Sequence, residues 1–167
     1  MMLKKFTLYL FIIWVAFVGF VGFVSYAPYK EATTLKENPT FGAKSTGNCR
    51  IVNTAYAIDN GYSLYLIDKV GNTSENRHIV AVDNSGVVHD FSKDSNAKKN
   101  EHISDYLSRT NTYTYCVIDT DTNAFEYKSD IDKGKNKWRH CIDYTYFYLF
   151  KKYYKNDTNF FVSIFTF

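Results

Sequence analysis

The sequence predicts a mostly β protein, with α+β as the alternative, that one N-terminal helix holds to a membrane. Three observations support this class. An uncharged apolar run fills residues 6–27, and short apolar stretches separated by turn residues follow residue 48. The chain also contains 15 Tyr and 14 Phe, residue types that favour strands. We expect a transmembrane helix followed by a small antiparallel β-meander domain with one short helix.

The apolar run reads FTLYLFIIWVAFVGFVGFVSYA and follows Lys4 and Lys5. It has the length that crosses a bilayer and exceeds the apolar core of a secretory signal. Ser25 and Ala27 have the spacing of a cleavage site, but Pro28 would follow the scissile bond and makes it a poor one. The pattern favours an uncleaved signal-anchor.

Flanking charge predicts the orientation of this anchor. Lys4 and Lys5 favour a cytoplasmic N-terminus, whereas the lysines beyond the run are each balanced by a neighbouring glutamate. The following domain is therefore expected in the periplasm or outside the cell. The chain divides into a cytoplasmic tip, an anchor, a flexible linker and an extracytoplasmic domain: residues 1–5, 6–27, 28–48 and 49–167.

Most of the domain reads as strands. Residues 50–58, 62–70, 78–82, 87–91, 112–119 and 124–128 are candidates, separated by polar turns such as Asp59-Asn60-Gly61. Asn100 is the expected cap of a short helix over 101–109. The aromatic run 140–150 is interpreted as a buried central strand, with a helix as the alternative, and 160–167 as a further strand.

Three cysteines in an oxidising compartment allow one disulfide. Cys116 and Cys141 fall in predicted strands, so we expect them to pair and leave Cys49 free. A bond from Cys49 to either partner is the rival arrangement. The sequence contains no CxxC motif, which argues against a redox motif or a cysteine zinc site.

Two groups of residues resemble metal ligands only in part. Asp119, Asp121, Asn123 and Asp130 have the spacing of calcium ligands, but the required glycine is replaced by Ala124. His78 and His89 fall on two arms of one predicted hairpin with Asp90 nearby, without HxH or HExxH spacing. We expect no metal and no other cofactor.

Thiol catalysis is the third chemistry to weigh. Cys49 with His89 or His102 would supply a nucleophile and a base. A reactive cysteine favours a helix N-terminus, where its pKa falls, whereas Cys49 opens a predicted strand. The sequence therefore argues against an enzyme.

The charge balance and the tyrosines indicate which class of partner the protein binds. The chain has 20 Lys and Arg, so 18 follow Lys5 and face 17 Asp and Glu, a balance that argues against nucleic acid. Tyr144, Tyr146 and Tyr148 alternate along a predicted strand and are candidates for a binding face. The expected function is non-enzymatic binding of a protein partner in the cell envelope, of the immunity or inhibitor type. The alternatives are an anchored hydrolase that uses a cysteine, or a metal-binding module.

Overall fold

The computed structural model describes residues 2–40, 48–69, 77–92, 95–129, 137–156 and 160. Within them the chain forms four helices and five strands. The helices are α1 (Met2–Glu37), α2 (Cys49–Asn60), α3 (Ile103–Arg109) and α4 (Lys137–Lys155). The strands are β1 (Ser63–Lys69), β2 (Arg77–Val82), β3 (Val88–His89), β4 (Thr112–Asp119) and β5 (Phe125–Ser129). The domain is therefore α+β, which corrects the mostly β prediction.

The five strands form one antiparallel sheet in the order β3-β2-β1-β4-β5. The first strand lies at the centre, and the chain adds strands first on one side and then on the other. Turn residues supply the reversals: Gly86 has φ +84 and Asn123 has φ +59 between the paired strands. The strands predicted at 62–70, 78–82, 112–119 and 124–128 are confirmed to within one or two residues.

Helices cover one face of the sheet and build the larger core. Sheet residues Leu64, Leu66 and Ile118 are buried there against Ile58 of α2 and Phe150 of α4. The opposite face carries a smaller cluster in which α3 covers Ile67 and Val80 with Ile103 and Tyr106. The sheet is thus covered on both sides, more heavily on the α2–α4 side.

The segment predicted as a strand over 50–58 is helix α2. Its buried residues include Ile51, Ala55 and Ile58, a spacing of three to four residues that fits a helix. Gly61, with φ +65, is the left-handed C-cap of this helix. The Asp-Asn-Gly sequence therefore ends a helix and does not form a hairpin turn, and a glycine with positive φ serves both structures.

The aromatic run at 140–150 is likewise helical and belongs to α4, so the buried-strand prediction is wrong. Phe147, Phe150 and Tyr153 are buried at helical spacing. A run of this length exceeds most strands, which is the signal that favoured the alternative. The strand predicted over 160–167 lies outside the described residues except for Phe160, which is helical.

The short helix is confirmed with a later start. It begins at Ile103, and the ring of His102 accepts a hydrogen bond from the Ser104 amide at its N-terminus. Asn100, the predicted cap, adopts φ +56 in the preceding turn. Glu101, the predicted first residue of the helix, lies before it and accepts a hydrogen bond from the Arg109 guanidinium, with Nε–Oε1 at 2.7 Å.

Helix α1 is the one helix in the described part of the chain that is long and apolar enough to cross a membrane. Its apolar window is entirely unburied, unlike the core helix of a soluble domain. The helix continues past Pro28 to Glu37, so the first ten residues of the predicted flexible linker are helical. Residues 41–47 lie outside the described residues.

Candidate active site

A thiol, an imidazole and a carboxylate meet where α2 begins. Cys49 is the first residue of α2 and is half-buried. His78 lies near the start of β2, and Asp90 follows β3 directly. The Cys49 thiol hydrogen-bonds the His78 ring, and the His78 Nε2 lies 2.7 Å from the Asp90 Oδ2. Since the His78 Nε2 bonds Asp90, Nδ1 is the ring nitrogen that can bond the Cys49 sulfur.

Strand register explains why His78 and Asp90 meet. Ala81 pairs with His89 and Val82 with Val88 across the β2–β3 hairpin. Continuing this register puts Asp90 opposite Val80, two residues from His78 and on the same face. The Asp83–Gly86 turn, closed by a Gly86 amide bond to the Asp83 carbonyl at 2.9 Å, fixes this alignment.

Asp90 is held as a buried carboxylate. Its side chain is fully buried, and its Oδ1 accepts hydrogen bonds from the Asn53 amide at 2.8 Å and the Ser92 hydroxyl at 2.7 Å. Burial opposes ionisation, but the His78, Ser92 and Asn53 contacts outweigh it and lower the pKa of Asp90 far below its usual value. The site therefore contains a permanent negative charge behind the imidazole.

That charge sets the protonation of the other two groups. Burial disfavours a charged His78, yet Asp90 and Cys49 raise the pKa of His78 to about 9. Burial also opposes a Cys49 thiolate, but the His78 hydrogen bond and charge together lower the pKa of Cys49 below its usual value. The Ile79 backbone and the helix N-terminus add to this stabilisation. Both shifts favour the thiolate–imidazolium form of the pair over the neutral form.

Asn53 holds the three elements of the site together. Its fully buried side chain donates to the Ile79 carbonyl at 2.7 Å and accepts the Phe91 amide at 2.8 Å. The Asn53 amide also donates a hydrogen bond to the Asp90 carboxylate. One side chain of α2 therefore bonds β2 next to His78 and the segment that carries Asp90.

The start of α2 also offers backbone donors. The Ile51 and Val52 amides both bond the Asn48 carbonyl. The Cys49 and Arg50 amides lie in the first turn of α2, where backbone amides have no acceptor within the helix. Such amides beside a nucleophile are suited to a developing oxyanion.

The histidines named from the sequence lie elsewhere. His89 bonds Asp83 at 3.0 Å in the hairpin turn, and His102 caps α3. The proposed Cys49–His89 and Cys49–His102 pairs are therefore not formed. The histidine that contacts the thiol is His78, which the sequence analysis did not pair with Cys49, and its signal was the hairpin register that puts it beside Asp90. The strand assignment of residues 50–58 concealed the helix N-terminus that favours a reactive thiol.

The calcium-like sequence forms a hydrogen-bonded turn. The Asp119 Oδ1 accepts the Asp121 and Thr122 amides at 2.9 and 3.0 Å. The Lys151 ammonium bonds the Thr120 carbonyl and, at 2.8 Å, the Asn123 Oδ1, so a side-chain cation occupies this oxygen cluster. Asp130 lies outside the described residues. Among the described residues, no group of three or more His, Cys, Asp or Glu side chains could hold a metal ion.

The three candidate tyrosines belong to α4 and do not share one face. Tyr144 donates to the Asn123 carbonyl at 3.1 Å and packs on Phe125, whereas Tyr148 is 45% exposed. Tyr146 points to the other side, where its hydroxyl bonds the Glu31 carboxylate. Whether they bind a partner stays a prediction.

No disulfide occurs in the described part of the chain. Cys49 is a free thiol, and Cys116 is buried in β4 beneath the α2–α4 layer. The Cys141 side chain lies outside the described residues, so the Cys116–Cys141 pairing stays a prediction.

These contacts define a thiol–imidazole–carboxylate site in which the N-terminus of α2 carries the thiol, β2 carries the imidazole and the residue after β3 carries the carboxylate. Comparison of the chain with models of protein families, with curated proteins and with solved structures finds no match. The function is therefore argued from the site itself.

Proposed function

We propose that this protein is a membrane-anchored cysteine hydrolase or acyltransferase, with Cys49 as nucleophile, His78 as acid and base, and Asp90 orienting His78. The observation that supports it is the hydrogen-bonded series Cys49–His78–Asp90, in which a buried carboxylate holds the imidazolium against the thiol. This is the alternative that the sequence analysis placed behind partner binding.

The chemistry starts from the ion pair. The Cys49 thiolate attacks the carbonyl carbon of an amide, ester or thioester and forms a tetrahedral oxyanion, which the amides at the start of α2 stabilise. His78 donates its proton to the leaving nitrogen, oxygen or sulfur, and a thioester to Cys49 remains. His78, now neutral, takes a proton from water or from an acceptor amine, which attacks the thioester and releases Cys49.

The anchor is part of the same proposal. The unburied apolar length of α1 supports a transmembrane helix, and Lys4 and Lys5 support a cytoplasmic N-terminus. The catalytic domain would then lie in the periplasm or outside the cell. Reporter fusions to Phe167 that are active only outside the cytoplasm are the expected outcome, and cytoplasmic activity would contradict this topology.

The catalytic assignment is tested with p-nitrophenyl acetate and the full chain in detergent. We expect a burst of p-nitrophenolate equal to about one per chain, because acetyl transfer to Cys49 precedes slower hydrolysis. Cys49→Ala and His78→Ala should abolish the burst. His89→Ala is the matched control, since His89 also bonds an aspartate, Asp83, but does not contact the thiol.

A thermal melt of each variant separates catalysis from folding. Loss of the burst with an unchanged melting temperature supports the proposal. A wild-type chain that is folded and gives no burst, or a His78→Ala variant that keeps it, would contradict the assignment.

A further inference from the structure

Helix α1 joins the apolar run to the catalytic domain without a spacer. Phe23 is 82% exposed, yet Ser25, two residues later, is 1% exposed. Tyr29 packs on Tyr153 of α4 with ring centroids 5.2 Å apart, and Ala32 is fully buried. The domain therefore docks onto the same helix that leaves the membrane, and its height above the bilayer is set by that helix.

The start of α2 is fastened to a defined level of this helix. Arg50, next to the nucleophile, bonds the Glu31 carboxylate at 2.8 Å. Its guanidinium also stacks on the Tyr146 ring, 4.1 Å from the centroid, and the Tyr146 hydroxyl bonds Glu31. Three side chains from α1, α2 and α4 thus fix Cys49 to the level of Glu31, within the length of one arginine side chain.

That level is close to the membrane. Glu31 follows Ala27, the end of the apolar run, by four residues, a rise of ~6 Å in a helix. The headgroup layer of one leaflet is ~5–8 Å thick. A compact domain of this length is ~35–40 Å across, so a thiol on its far side would lie more than ~30 Å from the bilayer. The geometry instead keeps it within ~15 Å of the hydrocarbon boundary.

A groove begins one helical turn after the thiol, at Val52 of α2. Val52 and Tyr56 follow Cys49 on the same stripe of α2, and both line a cavity of about 510 Å³ between α1, α2 and α4. Leu35 and the exposed Phe91, next to Asp90, add apolar walls. Because Arg50 contacts Glu31 while the C-terminal half of α2 lies beside Leu35, the groove runs away from the membrane.

The far end of the groove has charges of both signs. Asp59 accepts from the Tyr154 hydroxyl at 2.7 Å and from the Lys155 ammonium at 3.2 Å, and Lys36 lines the same end. Apolar walls with polar groups at the rim suit an extended peptide, whose backbone requires hydrogen bonds. A lipid acyl chain would have to turn away from the bilayer and lie against these charges, which is unfavourable.

We propose that the substrate of Cys49 is a peptide attached to the membrane, attacked at a carbonyl within ~15 Å of the hydrocarbon boundary while its chain lies in the α1–α2–α4 groove. This inference rests on the proposed function. Under this proposal, Cys49 attacks only those peptides whose scissile carbonyl lies at the height of the thiol above the bilayer.

The test alters the height of the site in the full chain reconstituted in phosphatidylcholine vesicles. Seven polar helix-forming residues inserted after Phe23 raise the domain by ~10 Å and turn it by almost two complete turns, so its facing is kept. The remaining apolar segment, 6–23, still spans a bilayer. The matched control carries the same seven residues after Lys5, which leaves the site at its original height.

The probe is a trialanine peptide with an N-terminal chloroacetyl group, whose chloride the thiolate displaces. It is coupled to phosphatidylethanolamine either directly, with a reach of ~10 Å, or through twelve Gly/Ser residues that span ~19 Å on average. We expect the direct probe to label Cys49 about tenfold or more slowly in the raised chain than in the control. The long probe should label both chains at similar rates.

Three results separate the conclusions. Equal labelling of raised and control chains by the direct probe overturns the membrane-level substrate. Equally fast labelling by chloroacetyl phosphatidylethanolamine without a peptide overturns the peptide assignment in favour of a lipid headgroup. Soluble iodoacetamide that fails to label Cys49 at neutral pH in either chain overturns the proposed function itself.

Discussion

Replacing Asp90 with asparagine tests the origin of the activated thiol. The change keeps the size of the side chain but removes the charge that lies 2.7 Å from the His78 ring. His78 has a pKa of about 9, against an ordinary value of about 6.5. That difference corresponds to ~3 kcal/mol in favour of the imidazolium. It is a net value, because burial opposes the charge, so Asp90 and Cys49 together supply more than this.

We expect Asp90→Asn to lower the pKa of His78. The pKa of Cys49 should then rise, because the interaction with the imidazolium contributes more than the direct repulsion between Asp90 and the thiolate. The assay is the rate of Cys49 alkylation by iodoacetamide between pH 4 and 10, followed by peptide mass spectrometry. In the wild type the inflection of the rate should lie at a lower pH than that of an ordinary thiol, whereas in Asp90→Asn it should move toward the ordinary value.

Asp83→Asn is the matched control, because Asp83 bonds His89 at 3.0 Å in the same hairpin and neither residue contacts Cys49. Its alkylation profile should follow that of the wild type. An unchanged inflection in folded Asp90→Asn would refute the argument, since the carboxylate would then not be what stabilises the ion pair.

Three further changes probe the structure around the site. Asn53→Ala should lower the free energy of unfolding by ~3 kcal/mol, since it leaves buried partners without hydrogen bonds, whereas Asn60→Ala, at an exposed site in the same helix, should cost under ~1 kcal/mol in urea denaturation. His78 is stabilised as the protonated form, so this stabilisation is complete below about pH 6.5 and is lost as the pH rises through about 9. The difference in unfolding free energy between the wild type and His78→Gln should therefore shrink across that range, and a difference that grows would contradict the sign. Gly86→Ala should destabilise the hairpin, because φ is +84 and the new Cβ would lie 2.2 Å from the His102 Nε2, and a smaller loss in a His102→Ala background would confirm the clash by thermal melting.

Much of the sheet was predictable because period-two alternation and local turns decide it. The boundaries of β4 match the predicted residues 112–119, and the Asp83–Gly86 turn was read from its sequence. Helices α2 and α4 were not, since short apolar runs lack a decisive period. In α2, Asn53 and Thr54 are buried polar residues that obscure the apolar stripe formed by Ile51, Ala55 and Ile58.

The candidate site could be predicted only in part. The sequence identifies Cys49 as a candidate nucleophile, and it places His78 and Asp90 near each other in one predicted hairpin. The contact between Cys49 and His78 could not be predicted, because Cys49 lies on α2. The docking of this helix on β2 depends on long-range packing and not on local sequence. The partner hydrogen bonds of Asp90, from Asn53 and Ser92, likewise appear only once the helix and the sheet are assembled.

The contacts of Asn53 link the stability of the domain to the activation of its thiol. Cys49 begins α2, whereas His78 lies on β2. The Asn53 side chain belongs to α2 and bonds the carbonyl of Ile79, the residue next to His78. It also bonds Asp90 directly. A domain without this amide loses the packing of α2 on β2 together with the alignment of the ion pair. Asp90→Asn removes charge and leaves the other Asn53 contacts in place, so it should separate activation from folding, whereas Asn53→Ala should impair both.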